Sequence, residues 1–330
     1  MIRFTDKGMY CEPGDFYIDP WRPVTRAVIT HGHSDHARWG NQTYLCHTDT
    51  LPILKLRLGA DTQVESMPYG ERRNIGGVEI SFHPAGHIIG SAQVRMAYKG
   101  EVWVVSGDYK LANDLLTTPF EPIKCHHFIT ESTFGLPLYR FDPPEHTYAA
   151  INRWWAANAA AGINTILLGY ALGKAQALLH ALDLSIGPVF LHGAVANVNE
   201  ALAQAGYHFP GTRVTPDTDM KAFRGALIVA PPSAFGTPWM RKFMPYHAAM
   251  CSGWMALRGA RRRKGVDKGF ALSDHGDWNQ LNQAVLATGA THIYVTHGYE
   301  AAFVRWLQEK HGLQAYQVKT LFHEGEDEDL

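Results

Sequence analysis

The sequence has few cysteines and no long apolar run. Its four cysteines form no CxxC pair, so the sequence favours neither a disulfide framework nor a thiolate zinc finger; they are Cys11, Cys46, Cys125 and Cys251. No apolar run approaches the roughly 20 residues that span a bilayer, and the opening MIRFTDKGMY has no signal-peptide core. We therefore expect a cytoplasmic protein with no membrane partner.

The sequence also lacks a strong net charge, because 30 Lys and Arg residues nearly balance 31 Asp and Glu residues. This balance argues against a wholly basic nucleic-acid-binding protein but leaves room for a local basic groove. A basic run, LRGARRRKGVDK, spans 257–268 and includes Arg261, Arg262, Arg263 and Lys264. Beside a cleft it would neutralise phosphates; the alternative is a solvated loop.

Histidine, by contrast, is abundant, with 18 residues in a chain of 330. Apolar, β-branched segments alternate with segments of helical periodicity, which is typical of an α/β protein. The predicted strands are 26–30, 78–85, 92–98, 101–106, 127–130, 164–171, 187–192, 226–232, 268–273 and 291–296. The predicted helices are 145–161, 173–184, 197–205, 277–288 and 299–311.

Six of the apolar strands run into a residue that can bind a metal or transfer a proton. These residues are His31, His87, Asp108, Glu131, His275 and His297. Sites in α/β proteins assemble at the carboxyl ends of strands, where the sheet fixes direction and the loops leave room for a substrate. The recurrence therefore predicts an active site.

The densest group of such residues is ITHGHSDH, which begins at Ile29. His31 and His33 are two residues apart, so in an extended segment both imidazoles leave the chain on one side and can bind one metal ion. Asp35 and His36 follow at a turn and can serve a second metal ion. Ordinary surface or core histidines are the alternative, but so many uncompensated polar groups after a buried strand would be costly.

These motifs resemble the signature of the metallo-β-lactamase fold, in which THGHSDH is followed by AGHIIGS and SGDYK. The later motifs ITESTFG, YALGKAQALL, SDHGD and VTHG resemble the β-CASP branch, which contains nucleic-acid-processing nucleases. The opening YCEPGDFYIDPWRPVTRAVITHGHSDHARWG is most similar to the bacterial ligase-associated DNA exonucleases. The resemblance implies a four-layer αββα sandwich with an inserted β-CASP α/β cap domain, over nearly the whole chain.

The resemblance also implies a ligand set for two divalent metal ions. The first ion would take His31, His33 and His87, and the second Asp35, His36 and His297, with Asp108 bridging both. These ligands suit zinc, although manganese is compatible. The metal pair would activate water for attack on a phosphodiester, with Asp35 and Asp108 part of the catalytic centre.

A proton is also needed for the leaving oxygen, and His275 is the candidate general acid. Glu131 would orient this imidazole and favour its protonated form. Phosphate contacts near the metal ions could come from Tyr109, Lys110, Ser132 and Thr133, which directly follow site residues.

The gap between Glu131 and His275 indicates an inserted domain. We expect a metallo-β-lactamase core at 1–138 and 268–330, and a β-CASP cap at 139–267 that forms a cleft with it. Lys174 stands where many relatives carry arginine; it keeps the positive charge for a phosphate contact but loses the bidentate geometry.

The motifs and the resemblance together predict a metal-dependent DNA exonuclease with a role in repair. The resemblance alone implies a preference for single strands, 5′ to 3′ polarity, and an association with an ATP-dependent DNA ligase and a helicase. Alternatives are a β-CASP ribonuclease, because the ligands do not distinguish the sugars, a small-molecule hydrolase on the same fold, and a noncatalytic binding protein.

Overall fold

The computed structural model describes residues 1–257 and 265–321, and the chain forms two compact units. Among the described residues, the first unit contains Met1–Arg140 and the chain from His275 to Leu321, and the second begins at Phe141 and ends at Asp274. The sequence predicts these divisions at 138/139 and 267/268. The second division lies later because the strand that begins at Lys268 pairs within the sheet of the second unit.

Two sheets form the framework of the first unit. The first sheet has six strands in chain order: β1 (Ile2–Phe4), β2 (Met9–Cys11), β3 (Phe16–Ile18), β4 (Arg26–Val28), β5 (Thr43–His47) and β6 (Val64–Met67). The second has the order β19-β18-β11-β10-β9-β8-β7, with β7 (Arg73–Ile75), β8 (Val78–Pro84), β9 (Ala92–Tyr98), β10 (Glu101–Val105), β11 (His127–Ser132), β18 (His292–Gly298) and β19 (Gln314–Gln317).

The apolar side chains of this unit form three clusters that account for its layering. One cluster joins the two sheets and includes Phe16 and Phe82. A second joins helix α1 (Leu51–Leu58) to the first sheet. The third joins helices α5 (Trp278–Thr288) and α6 (Glu300–His311) to the second sheet. The first cluster therefore packs the two sheets together, and the other two clusters each pack helix against one sheet.

Local sequence signals fix the two helices that cover the second sheet. The Asp277 carboxylate accepts the backbone N–H of Gln280 and caps the start of α5. Gly289 and Gly312 follow α5 and α6 in the left-handed conformation, with φ of +68° and +65°, which glycine adopts without steric cost.

The second unit contains a six-stranded parallel sheet of order β14-β13-β15-β12-β16-β17. Its strands are β12 (Asn164–Leu168), β13 (Val189–Leu191), β14 (Thr212–Arg213), β15 (Leu227–Ala230), β16 (Tyr246–Cys251) and β17 (Lys268–Phe270). Its helices are α2 (Pro144–Ala160), α3 (Lys174–His180) and α4 (Gly193–Ala203). The central strands are buried throughout, as expected for a parallel sheet covered on both faces.

Short 3-10 helices complete the described elements: Thr48–Thr50, Met220–Phe223, Pro232–Ala234, Pro238–Phe243 and Gly253–Ala256. Within the described residues, no helix combines the length and the apolar character that a membrane span requires.

The ten predicted strands and five predicted helices all correspond to observed elements, with ends shifted by a few residues. One interpretation needs correction. The sequence predicts that segment 268–273 leads a core strand into His275, but β17 ends at Phe270 and belongs to the second unit's sheet. His275 instead lies at the start of the chain's return to the first unit.

Candidate metal centre

Four histidines from two loops converge in the first unit. His31, His33 and His36 follow β4, and His87 follows β8. The chain turns after His33, because the N–H groups of His36 and Ala37 both bond to the carbonyl of His33, and Asp35 and His36 lie in this turn, as the sequence predicts. The imidazoles converge because the chain bends around them.

Three of these rings form a nearly equilateral triangle. The ring centres of His31, His33 and His87 lie 4.8 to 4.9 Å apart, and each pair of rings is almost perpendicular. Nδ1 of His33 and Nε2 of His87 are 3.0 Å apart. All three side chains are buried. Three imidazoles whose nitrogens point at one place are the usual donor set of a zinc site.

The carboxylate of Asp108, which follows β10, lies between this triangle and a second group. Its Oδ2 is 3.5 Å from His31 Nε2, 3.9 Å from His87 Nε2 and 3.4 Å from His36 Nε2. Its Oδ1 is 3.2 Å from Nε2 of His297, at the end of β18. Asp108 therefore belongs to two tight groups, one with His31, His33 and His87 and one with His36 and His297. Oδ2 of Asp35 lies 3.5 Å from His36 Nε2 and borders the second group.

Burial and these close carboxylates shift the pKa values of the cluster in opposite directions. Burial, followed by the neighbouring His36, lowers the pKa of His31 well below its ordinary value. Burial also opposes charge on His36, but Asp35 and Asp108 raise its pKa well above the ordinary value. Burial would raise the pKa of Asp108, yet His36 and His297 hold it well below the usual range. The buried carboxylate thus attracts positive charge, as protons or as cations.

The donor set fits a pair of divalent cations. Among residues 1–257 and 265–321, Nε2 of His31 has no hydrogen-bond partner, although it is buried in a polar cluster. Buried ring nitrogens are normally paired, and coordination to a cation satisfies such an atom. Residues His31, His33, His87 and Asp108 would hold one cation, and His36, Asp108 and His297, with Asp35 beside them, would hold the other.

The structure adds Asp19, a residue that the sequence analysis did not single out. This fully buried carboxylate follows β3 and accepts the Thr30 N–H at 2.8 Å and the Thr30 hydroxyl at 2.6 Å. Its Oδ2 is also 2.8 Å from Nδ1 of His36. Asp19 therefore fixes the proton of His36 on Nδ1 and turns Nε2 towards Asp108.

Two threonines orient two other imidazoles in the same way. Thr30 Oγ1 lies 3.0 Å from Nδ1 of His31, and because its own proton goes to Asp19, Nδ1 must donate to it. Thr296 Oγ1 donates to the Thr130 carbonyl and lies 3.2 Å from Nδ1 of His297. A Thr-His pair occurs in both ITHGH and VTHG, and this repetition is the sequence signal that could have identified the two threonines.

Backbone contacts hold the loop that carries His87. The N–H groups of His87 and Ile88 both donate to Oγ of Ser91. Gly86 has a φ of +75°, and a Cβ there would collide with the carbonyl of Lys110. A side chain at Gly86 would thus disturb the His87 loop directly, since Lys110 also donates its N–H to the neighbouring Ala85 carbonyl.

Glu131, near the end of β11, and His275 lie together beside this cluster. Nδ1 of His275 is 3.1 and 3.0 Å from the two carboxylate oxygens of Glu131. The same carboxylate accepts the backbone N–H groups of Tyr109 at 2.8 Å and Thr133 at 3.3 Å. Glu131 is buried, whereas the His275 side chain is 24% exposed. The pair also groups with Asp108, within 4.8 Å between their donor atoms.

Three of the predicted phosphate contacts are engaged with the protein itself. Tyr109 is fully buried and its hydroxyl lies 2.9 Å from Thr130 Oγ1. The ammonium of Lys110 is 2.6 Å from Asp114, and the Ser132 hydroxyl donates to the carbonyl of His297. A phosphate contact from any of these groups would have to compete with its present partner.

Apart from Thr133, which lies in the first unit, the remaining predicted contacts belong to the second unit or fall outside the described residues. Lys174 begins α3 of the second unit, and its buried ammonium is 2.9 Å from Asp274 and donates to the Leu272 carbonyl. Arg261, Arg262, Arg263 and Lys264 lie outside the described residues. The phosphate contacts expected of all five residues stay predictions.

No protein-family model matches the chain. Of its curated relatives, a protein of Opitutus terrae named "Probable DNA ligase" is 31% identical over 326 residues, which cover 98% of this chain and 31% of that protein. An Aspergillus fumigatus protein named "Endoribonuclease ysh1" is 30% identical over 141 residues, 42% of this chain and 15% of the relative. The chain therefore spans less than a third of the length of these two relatives.

Among solved structures, a protein of unknown function from Enterococcus faecalis V583 matches with a TM-score of 0.57 at 12% identity. The match covers 82% of this chain and 75% of the other, and it supports the fold alone. These similarities and the buried histidine and aspartate cluster are the observations on which a functional proposal can rest.

Proposed function

We propose that this protein is a metal-dependent nuclease that hydrolyses phosphodiester bonds, with DNA as its favoured substrate. We further propose that the first unit is a four-layer αββα sandwich and that the second unit is a β-CASP cap. The three apolar clusters of the first unit and the parallel sheet of the second support this architecture.

The observation that carries the proposal is the position of the Asp108 carboxylate between two groups of imidazoles. One carboxylate within 4 Å of the ring nitrogens of His31, His36, His87 and His297 is the arrangement expected of a bridging ligand. The imidazole-rich donors favour zinc, and the carboxylates of Asp108 and Asp35 make manganese compatible. When bound, such a cation pair supplies an activated water and stabilises the charge on a phosphate.

His275 would act as the general acid in this reaction. Its Nδ1 faces the Glu131 carboxylate, so Nε2 is the ring atom that would deliver a proton to the leaving oxygen. Glu131 would hold the ring in place and, through its bond from the Tyr109 N–H, would also fix the chain beside Asp108. His275 is the more exposed member of the pair, which suits a group that must reach the substrate.

The preference for DNA rests on a relative that matches nearly the whole of this chain. The protein named "Probable DNA ligase" is similar over 98% of the chain, whereas the ribonuclease relative matches 42%. By analogy with its name, we propose a function in DNA repair beside a DNA ligase, with a helicase as a further associate. Exonucleolytic cutting of single strands is part of the same proposal.

RNA cleavage is the second candidate, because the relative named "Endoribonuclease ysh1" is 30% identical where it matches this chain. Imidazole and carboxylate ligands do not distinguish ribose from deoxyribose. The choice between the two depends on contacts to the sugar.

Cleavage of matched DNA and RNA strands tests the proposal. Each strand would carry a label at its 5′ or 3′ end and would be incubated with zinc or manganese, with a His275→Ala variant as the control. Stepwise release of mononucleotides from DNA, absent in the variant, is the expected result and gives the polarity. Internal cuts or a preference for RNA would select the second candidate, and no cleavage of either strand would refute nuclease function.

A further inference from the structure

The hydroxyl of Thr133 is a buried polar group at the candidate site that the protein itself leaves unsatisfied. The residue is 6% exposed, and within the described part of the chain its Oγ1 has no hydrogen-bond partner. Buried hydroxyls are almost always paired, so an exception calls for a physical explanation. Burial without a partner destabilises the folded protein, so this hydroxyl does not stabilise the fold through a hydrogen bond within the described part of the chain.

The neighbouring polar side chains make the contrast clear. Ser132 donates its hydroxyl to the carbonyl of His297, and the Tyr109 hydroxyl contacts Thr130 Oγ1. Lys110 is paired with Asp114. Among these four predicted phosphate contacts, only the Thr133 hydroxyl is not committed to a protein partner in the described structure.

The position of Thr133 relates this hydroxyl to the candidate general acid. Its backbone N–H donates to Glu131, the carboxylate that faces Nδ1 of His275. The next residue, Phe134, places its ring edge-on to the imidazole of His275, with the ring centres 6.2 Å apart. Thr133 therefore lies in the segment that holds His275, and its backbone is fixed by the same carboxylate.

We propose that the Thr133 hydroxyl donates a hydrogen bond to a phosphate oxygen of the substrate and so positions the phosphodiester beside His275. This inference rests on the proposed nuclease function. A hydroxyl without a protein partner gives up no protein hydrogen bond when it receives an anionic acceptor, and a bond to a charged group is stronger than one between neutral groups. The contact involves a phosphate and not a base, so it carries no sequence preference.

The test compares Thr133→Val with Thr133→Ser and with a matched control, Thr288→Val. Valine keeps the shape and the backbone bond to Glu131 but removes the hydroxyl, and serine restores it. The Thr288 hydroxyl is also buried, but it donates to the Val285 carbonyl and accepts the Ala290 N–H at the end of α5. Each variant would be assayed for kcat and KM on the labelled strand that the wild type cleaves, for melting temperature, and for bound metal.

Thr133→Val should lower kcat/KM by about 10- to 100-fold, the usual effect of losing a hydrogen bond to a charged group. Its melting temperature should be unchanged or higher and its metal content unchanged, while Thr133→Ser should recover most of the activity. Thr288→Val should show the reverse pattern, with a lower melting temperature and wild-type kcat/KM.

Wild-type kcat/KM in Thr133→Val would overturn the inference while leaving nuclease function intact. A lower melting temperature or loss of metal in that variant would also overturn it, since the hydroxyl would then serve the fold. If the wild type cleaves neither DNA nor RNA, the nuclease proposal fails, and the inference fails with it.

Discussion

Replacing Asp19 by asparagine should weaken metal binding without unfolding the protein. The new side chain would keep the shape of the old one but would present an NH2 group on one side. In one orientation that group faces Nδ1–H of His36 and the Thr30 hydroxyl, and in the other it faces the Thr30 backbone N–H. Either orientation sets a donor against a donor: the first removes the support for the His36 tautomer that points Nε2 at Asp108, and the second disturbs the Thr30 backbone, whose side chain orients His31.

The size of the effect follows from the number of imidazoles that depend on Asp19. The carboxylate orients His36 directly and His31 through Thr30, one in each of the two ligand groups. Loss of a carboxylate behind a ligating histidine typically weakens metal binding by about 10- to 100-fold. That range corresponds to about 1.4 to 2.8 kcal/mol of binding free energy.

Titration of the metal-free protein with zinc against a chelator of known affinity measures this change. Asp6→Asn is the matched control, because Asp6 is exposed and pairs only with the exposed Arg22 among the ion pairs of the described residues. The control should bind zinc as the wild type does. Wild-type zinc affinity in Asp19→Asn would refute the claim that the buried Asp19 carboxylate orients the imidazoles that bind the metal ions.

Two further predictions concern the acid group and the loop after Asp108. His275→Ala should abolish strand cleavage and retain both metal ions; loss of metal, or normal cleavage, would remove His275 from the role of acid. Burial opposes charge on Asp114, but Lys110 and the N–H groups of Thr117 and Leu116 hold its pKa below the ordinary value. The stabilisation from Asp114 is therefore complete above its unfolded pKa of about 4 and is lost as the pH falls through the lower folded value. Asp114→Asn leaves the buried Lys110 unpaired and should lower the free energy of unfolding by about 3 to 5 kcal/mol at neutral pH. The free energy of unfolding of the variant should also fall less than that of the wild type as the pH is lowered. Urea denaturation at pH 7 and pH 4 measures both effects, and wild-type values at both pH values would contradict the prediction.

The strand ends that carry the cluster could be predicted because each signal is local. An apolar segment followed by histidine or aspartate identifies His31, His87 and Asp108 one at a time, and the sheet then brings them together. The role of Asp19 is different, because it depends on β3 lying beside β4, which sets Ile18 against Val28. Asp19 also follows an apolar strand, FYI, so the same rule applied to the N-terminal segment would have selected it.

Other elements escaped prediction because their local pattern is ambiguous. Helix α1, LPILKLRL, is apolar on most sides and shows no helical alternation of polar and apolar residues. The strand at 268–270 has a clear β pattern, but nothing in that pattern states which sheet it joins. Whether a hydroxyl such as that of Thr133 has a hydrogen-bond partner depends on tertiary packing. The helical or strand periodicity of the sequence does not predict it.

The central claim is that Asp108 joins two metal-binding groups in one centre, and metal content measures this most directly. The wild-type chain and an Asp108→Ala variant would be saturated with zinc, freed of excess ion and analysed for zinc per folded chain. The account predicts two zinc ions in the wild type and a loss of at least one in the variant. A wild-type chain that binds no zinc and no manganese, or a variant that keeps two ions at wild-type affinity, would contradict it.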